Sequence, residues 1–220
     1  MMPSRPACIA VLGGSFDPVH QGHVALAEHF ARLLAPDLLR IVPAGNPWQK
    51  APLHASASQR VDMLRLAFAQ ASVPVLIDTQ EIERHGPSYT IDTLRAIRAE
   101  LVAEASVAFL MGADQLRQLH TWKDWRRLFD YAHVCAASRP GFAMEAAQLP
   151  LEVAQELERR AGTPEQVRST PHGFACVTED LAMDIAATGI REALARGETV
   201  DALVPGAVLD YIQLHQLYRH

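Results

Sequence analysis

Two histidines, His20 and His23, stand three residues apart in the stretch GGSFDPVHQGH, Gly13–His23. One turn of helix brings positions i and i+3 to a common face. Gly13 and Gly14 follow the apolar run Cys8–Leu12 directly and leave the backbone free to approach a ligand closely. Gly22 opens the segment beyond them, and the free amides at a helix start favour an anion. Two imidazoles beside such a positive helix end suit a polyphosphate better than a cation. Two other uses of the pattern compete. HxxH is half of a zinc site, although no HExxH and no nearby third ligand accompany it. A plain strand–turn–helix junction also tolerates two surface histidines. Neither GxxxxGK[ST] nor GxGxxG fits this segment.

Other chemistry-bearing residues are scattered along the chain. Asp114, in the triplet Gly112–Asp114, follows an apolar run; an acidic residue there can accept from ribose hydroxyls or cap the next helix. Thr188 and Arg191 share a helical face, and an arginine can grip phosphate oxygens bidentately. Trp122 and Trp125 lie in LHTWKDW, and Lys50 ends the loop stretch PAGNPWQK. Trp125 reads as core, and a solvated lysine is the ordinary reading of Lys50.

The elements that must position these residues alternate. Cys8–Leu12, Leu38–Pro43, Val75–Asp78, Val107–Met111, Ala132–Ala137 and Phe174–Val177 are short apolar runs and read as strands. Val24–Leu34, Ser58–Ala71, Thr90 to about Glu104, Leu151–Arg160, Gly189–Arg196 and Gly206–Leu217 read as helices, with a short helical patch at Trp122–Phe129. This alternation predicts an α/β fold, a parallel sheet covered on both faces. Ligands in such sheets bind at the carboxyl ends of strands. Those ends are Gly13–His23, Pro43–Lys50, Gly112–Asp114 and Arg139–Gly141. Met144–Thr170 carries no motif and reads as an insertion or a linker.

The 220 residues suit one large domain better than two small ones, and 49% apolar content is enough for a core. A net charge of −5 gives no reason to expect a protein that coats nucleic acid. Cys8, Cys135 and Cys176 are far apart and odd in number, which argues against a disulfide framework and for a reducing, cytoplasmic setting. No run is long enough to span a bilayer.

GGSFDPVHQGH closely resembles the signature of the nucleotidyltransferases related to class I aminoacyl-tRNA synthetases. Its FDPVH part resembles the nicotinate (or nicotinamide) mononucleotide adenylyltransferases. The resemblance implies a Rossmann-like doubly wound parallel sheet with C-terminal helices: a single nucleotidyltransferase domain over 1–220, with a core at about 7–140 and a helical part at about 180–220. It implies that His20 and His23 bind the ATP phosphates and stabilise the transferring phosphoryl group. Gly13, Gly14, Ser15 and Phe16 belong to the same ATP-binding motif. PSYTIDTL, Pro87–Leu94, resembles the segment meeting the pyridine nucleotide, which assigns Tyr89 and Thr90 to the pyridine substituent. Ser88 or Thr90 can also simply cap a helix there. By the same resemblance Asp114 meets ribose, Trp122 stacks on the pyridine ring and Lys50 meets phosphate. The histidine usual before that lysine is missing. DIAATGIREAL, Asp184–Leu194, resembles an Ile-Ser-Ser-Thr…Ile-Arg segment at a helix start; Thr188, Ile190 and Arg191 match, while Ala186 and Ala187 replace hydroxyls.

The implied activity is adenylyl transfer from ATP to nicotinate mononucleotide, with Mg²⁺ accompanying ATP and no dedicated metal site in the protein. The related pantetheine-phosphate adenylyltransferases are the enzyme alternative, and a non-catalytic nucleotide sensor on the same fold is the other. The expected partners are these small molecules, without nucleic acid or membrane, and a homo-oligomer is compatible with the sequence.

Overall fold

The computed structural model describes residues 6–45, 53–138, 149–179, 181 and 185–219. Lys50 and Arg139–Gly141 lie outside the described residues. Six strands form one sheet: β1 (Cys8–Gly14), β2 (Leu38–Pro43), β3 (Val75–Ile77), β4 (Ser106–Gly112), β5 (His133–Ala137) and β6 (Ala175–Thr178). Their order is β3-β2-β1-β4-β5-β6, and every adjacent pair is parallel. The connections run outward in one direction from β1 and in the other from β4. The topological switch point therefore falls between β1 and β4, where such sheets open a crevice.

Helices cover both faces because the central strands are apolar on both. Ile9 and Val11 of β1 pack into one core, Ala10 and Leu12 into the other. The Ala10 side is closed by α1 (Gln21–Leu34), α2 (Ala57–Ala67), α7 (Ala187–Ala195) and α8 (Gly206–Leu214). Leu26, Phe30 and Leu34 give α1 a repeat of four along its buried stripe. Each such side chain contributes about 1.5–3 kcal/mol when fully buried. The Ile9 side is closed by α4 (Thr90–Ala99), through Ile91, Leu94 and Ile97, and by α5 (Leu151–Arg159).

Several expectations shift. The helix read to Ala71 ends at Ala67, and the one read to about Glu104 ends at Ala99. The helical patch is two 3-10 helices, Ala113–Thr121 and Trp125–Asp130. Two short helices were missed: α3 (Gln80–Glu83) and α6 (Pro164–Ser169). The latter lies in the stretch read as featureless. Its start carries a capping box between Thr163 and Gln166, with Pro164 at its first turn. Neither Ser88 nor Thr90 caps α4. Tyr89 holds the cap position in extended backbone geometry, with no side-chain cap bond.

Cys8, Cys135 and Cys176 are buried free thiols. His133, at the start of β5, is also buried. Burial pushes its imidazole down to about 4, and the neutral ring bridges the Thr170 carbonyl and the Phe174 amide at 2.9 and 3.0 Å.

Candidate active site

A cavity of about 990 Å³ opens at the carboxyl ends of β1, β2, β4 and β5. Its wall includes Gly13, Gly14, His20, His23, Asp114, Trp122, Thr188 and Arg191, residues separated by up to 178 positions and brought to one crevice. Ser15, Tyr89 and Thr90 line it as well. Phe16 and Ile190 do not line it; both are buried beneath the wall.

The glycine–histidine loop forms one end of the cavity. His20 is the N-cap of α1, in extended geometry, and no acidic residue occupies the first turn. The helix thus presents an uncompensated positive end. The rings of His20 and His23 stack with centroids 3.7 Å apart and planes 25° from parallel. The His20 amide donates to His23 Nδ1 at 3.2 Å. That bond makes Nδ1 an acceptor, so the neutral ring carries its proton on Nε2. Gly22 permits this stack. A Cβ there would lie 3.1 Å from His20 Nδ1 and 3.5 Å from the Ile185 side chain. Gly14 is needed for a similar reason, since a Cβ would meet the Phe16 ring at 3.0 Å. Phe16 itself takes a left-handed conformation, φ 49°, which costs on the order of 1–3 kcal/mol and persists because its ring is locked against Gly14 and His23.

Arg191 joins this loop from the far end of the chain. Its Nη1 donates to the Asp17 carbonyl at 2.7 Å and its Nη2 to Thr188 Oγ1 at 3.2 Å. Ala186 caps α7 with no side-chain bond to the helix's first amides. Thr188 and Arg191 are the matching side chains that remain where two hydroxyls are missing.

Behind the loop lies a buried polar group that sequence reasoning missed. The Asp17 carboxylate accepts from the amides of His54 and Ala55, at 2.8 and 3.0 Å, and from the Tyr218 hydroxyl at 2.7 Å. Burial alone would raise this carboxyl. The hydrogen bonds from His54, Tyr218 and Ala55, with the Arg191 charge, outweigh burial and hold it below its ordinary range. The Tyr218 hydroxyl, buried against that carboxylate, is raised well beyond the ordinary tyrosine range. Arg60 is only 2% exposed and donates from Nη1 to the Ser15 carbonyl at 2.9 Å. Burial lowers its pKa, and the Asp17 charge works against that shift. Asp17 was visible inside the motif. Arg60 looks like any helix arginine, and no local signal marks Tyr218.

The opposite end of the cavity is aromatic. Trp122 meets Phe109 edge to face at 6.2 Å, and the Lys123 ammonium sits 4.5 Å from the Tyr89 ring centroid. Trp125 is buried core, as expected. Asp114 lies past the end of β4, and Gly112 is required beside it: a Cβ there would come within 2.5 Å of the Asp114 carboxylate. Glu81, on α3, also lines the cavity and accepts from the Thr93 hydroxyl at 2.6 Å. Burial pushes its carboxyl above the ordinary range.

A Rossmann-like sheet with a glycine–histidine loop at its switch point, facing a cavity that joins cationic and aromatic ends, defines a nucleotidyltransferase site. The chain belongs to the cytidylyltransferase-like family, whose model matches residues 11–193. Within that family it groups with the nicotinate-nucleotide adenylyltransferases. It is 62% identical, over 99% of its length and all of the relative's, to a protein of Herminiimonas arsenicoxydans named "Probable nicotinate-nucleotide adenylyltransferase". A protein of Chromobacterium violaceum with the same name is 45% identical over 97% of this chain and 99% of its own. Among solved structures, the fold is similar to that of Plasmodium falciparum nicotinic acid mononucleotide adenylyltransferase complexed with NaAD. The TM-score is 0.72 at 16% identity, covering 96% of this chain and 97% of that one. Among the described residues, no helix is long and apolar enough to cross a membrane.

Proposed function

We infer that this protein transfers the adenylyl group of ATP to nicotinate mononucleotide. An oxygen of the mononucleotide's 5′-phosphate attacks the α-phosphorus of ATP. The bond from that phosphorus to the bridging oxygen of the β-phosphate breaks. Nicotinate adenine dinucleotide forms and pyrophosphate leaves. The nucleophile is a phosphate monoester with a second pKa of about 6, so it is largely dianionic at neutral pH and needs no general base. Catalysis then consists of in-line positioning and stabilisation of charge.

The observation that carries this reading is the convergence of the stacked His20 and His23 rings with Arg191 at one end of a cavity whose other end is aromatic. His23 Nε2–H and the Arg191 guanidinium are donors for the triphosphate oxygens, with the α1 amino terminus adding its partial charge. Gly13, Gly14, Ser15 and Thr188 shape that end. Tyr89, Thr90 and Trp122 hold the pyridine ring and its substituent, and Asp114 accepts from ribose. Among the described residues, no group of three or more His, Cys, Asp or Glu is placed to hold a metal. Mg²⁺ enters with ATP, liganded by phosphate oxygens and water, and lowers the charge that the protein must meet. The three buried thiols support a cytoplasmic setting.

Pyrophosphate release from ATP, measured with nicotinate mononucleotide, nicotinamide mononucleotide and phosphopantetheine in parallel, tests the reading. The expected result is turnover with the first, weaker turnover with the second and none with the third. Release with phosphopantetheine alone, or with none of the three, overturns it.

A further inference from the structure

The mechanism uses the cavity face of the glycine–histidine loop. The loop backbone and the Asp17 carboxylate, which also lines the cavity, are held by a further set of contacts. Two loop carbonyls are each gripped by a guanidinium, Ser15 by Arg60 and Asp17 by Arg191. Both cations lie within electrostatic reach of a single buried anion. Among the described residues no carboxylate forms an ion pair with Arg60, and Asp17 is the opposing charge felt by Arg60 and Arg191 alike. The Asp17 carboxylate is in turn fixed by three donors, one of them the Tyr218 hydroxyl, 201 residues away. Gln216 and Tyr218 both adopt left-handed backbone, φ 51° and 61°, which non-glycine residues take up only when surrounding contacts hold them there. Tyr211, on α8, presents its hydroxyl to Asp62 at 3.2 Å instead, away from the loop.

We propose that Tyr218 is a positioning residue for the ATP end of the site. Its hydroxyl anchors the Asp17 carboxylate, and that carboxylate sets the loop backbone that carries the two imidazoles and offers Arg191 the Asp17 carbonyl. Tyr218 touches neither substrate. It acts through the register of the groups that do, where a displacement well under 1 Å is costly. The proposal rests on the adenylyl-transfer reading above. It adds a specific asymmetry: loosening Tyr218 disturbs the handling of ATP and leaves the aromatic end, more than one side chain away, as it was.

The test is Tyr218→Phe, which removes one oxygen and keeps the ring, beside Tyr211→Phe as the matched control. Hydrogen bonds to charged groups are the strong ones, so kcat/KM for ATP is expected to fall about tenfold to hundredfold in Tyr218→Phe. The KM for the mononucleotide and the kinetics of Tyr211→Phe should stay within about twofold of wild type. Amide hydrogen exchange supplies a readout independent of turnover: exchange should quicken at residues 14–23 and stay unchanged in α4. An unchanged kcat/KM for ATP, an equal change in the mononucleotide KM, or exchange that quickens uniformly through the chain each overturns the proposal, the last by making Tyr218 a general structural residue. Wild-type protein that releases no pyrophosphate defeats the reaction instead, and the exchange measurement still decides whether Tyr218 holds the loop.

Discussion

The two ends of the cavity are built on opposite principles. At the phosphate end, side chains are locked by named bonds: His23 by the His20 amide, Arg191 by a carbonyl and a hydroxyl, Asp17 by three donors. At the aromatic end, half-buried Trp122 meets Phe109 edge to face, and exposed Lys123 sits over the Tyr89 ring with a 3.4 Å ion pair to Asp92. On the proposed reaction, the first end meets charge that develops only during transfer, and donors for such charge have to be in place beforehand. On the same proposal the second end accepts a flat ring, and stacking tolerates small shifts. The buried carboxyls repeat the contrast. Asp17 is surrounded by donors and cations and is held low; Glu81 is dominated by desolvation and pushed up.

Four substitutions would break or sharpen this comparison. Asp17→Asn should have the largest effect. It weakens the bonds that His54, Ala55 and Tyr218 donate to a charged acceptor and removes a negative charge that Arg60 feels; hydrogen bonds to charged groups contribute about 1.5–3 kcal/mol. Because the folded pKa of Asp17 is depressed, the stabilisation exists above the ordinary carboxylate value and is lost as pH falls through the folded one. Denaturant unfolding should therefore show a wild-type advantage at pH 7 that shrinks only in acid. Next comes His23→Ala: turnover should drop about 10²-fold or more with the melting temperature little changed. A folded and fully active His23→Ala enzyme would remove the imidazole pair from the mechanism. Trp122→Ala should raise the KM for the mononucleotide by about tenfold, in line with 0.5–1.5 kcal/mol of aromatic contact plus lost area. The KM for ATP should not follow it. Equal movement of both constants would erase the distinction between the ends. Glu81→Gln should give the smallest change, and of opposite sign. A raised folded pKa means the charged carboxylate opposes folding above its ordinary value. The amide should then stabilise the protein at pH 7, and the gain should vanish as pH falls below the ordinary glutamate range.

Legibility in the sequence followed the range of the interactions. The central strands were readable because short apolar runs buried on both faces leave a local trace, and the ends of β1 and β4 carry Gly14 and Gly112, whose lack of a Cβ answers Phe16 and Asp114 two residues on. His20 and His23 were readable because their stacking follows from adjacent turns. Helix ends were not: α2 and α4 stop at Ala67 and Ala99, although Phe68, Ala71 and Leu101 beyond them still pack on the cores and continue the apolar pattern. Arg60 and Tyr218 were opaque for a different reason. Their roles arise only when positions 15, 17, 60 and 218 meet, and the intervening chain says nothing about that meeting. Glu81 sits on a four-residue helix that periodicity cannot detect.

The bond between Asp17 and Tyr218 also bears on how the molecule comes into being. A ribosome adding about 5–20 residues per second emits the two partners about 10–40 s apart. Throughout that interval the Asp17 carboxylate lacks the Tyr218 hydroxyl, although β2 and the His54 and Ala55 amides are made much sooner. The Tyr218 bond is thus among the last long-range contacts that synthesis makes available to the glycine–histidine turn.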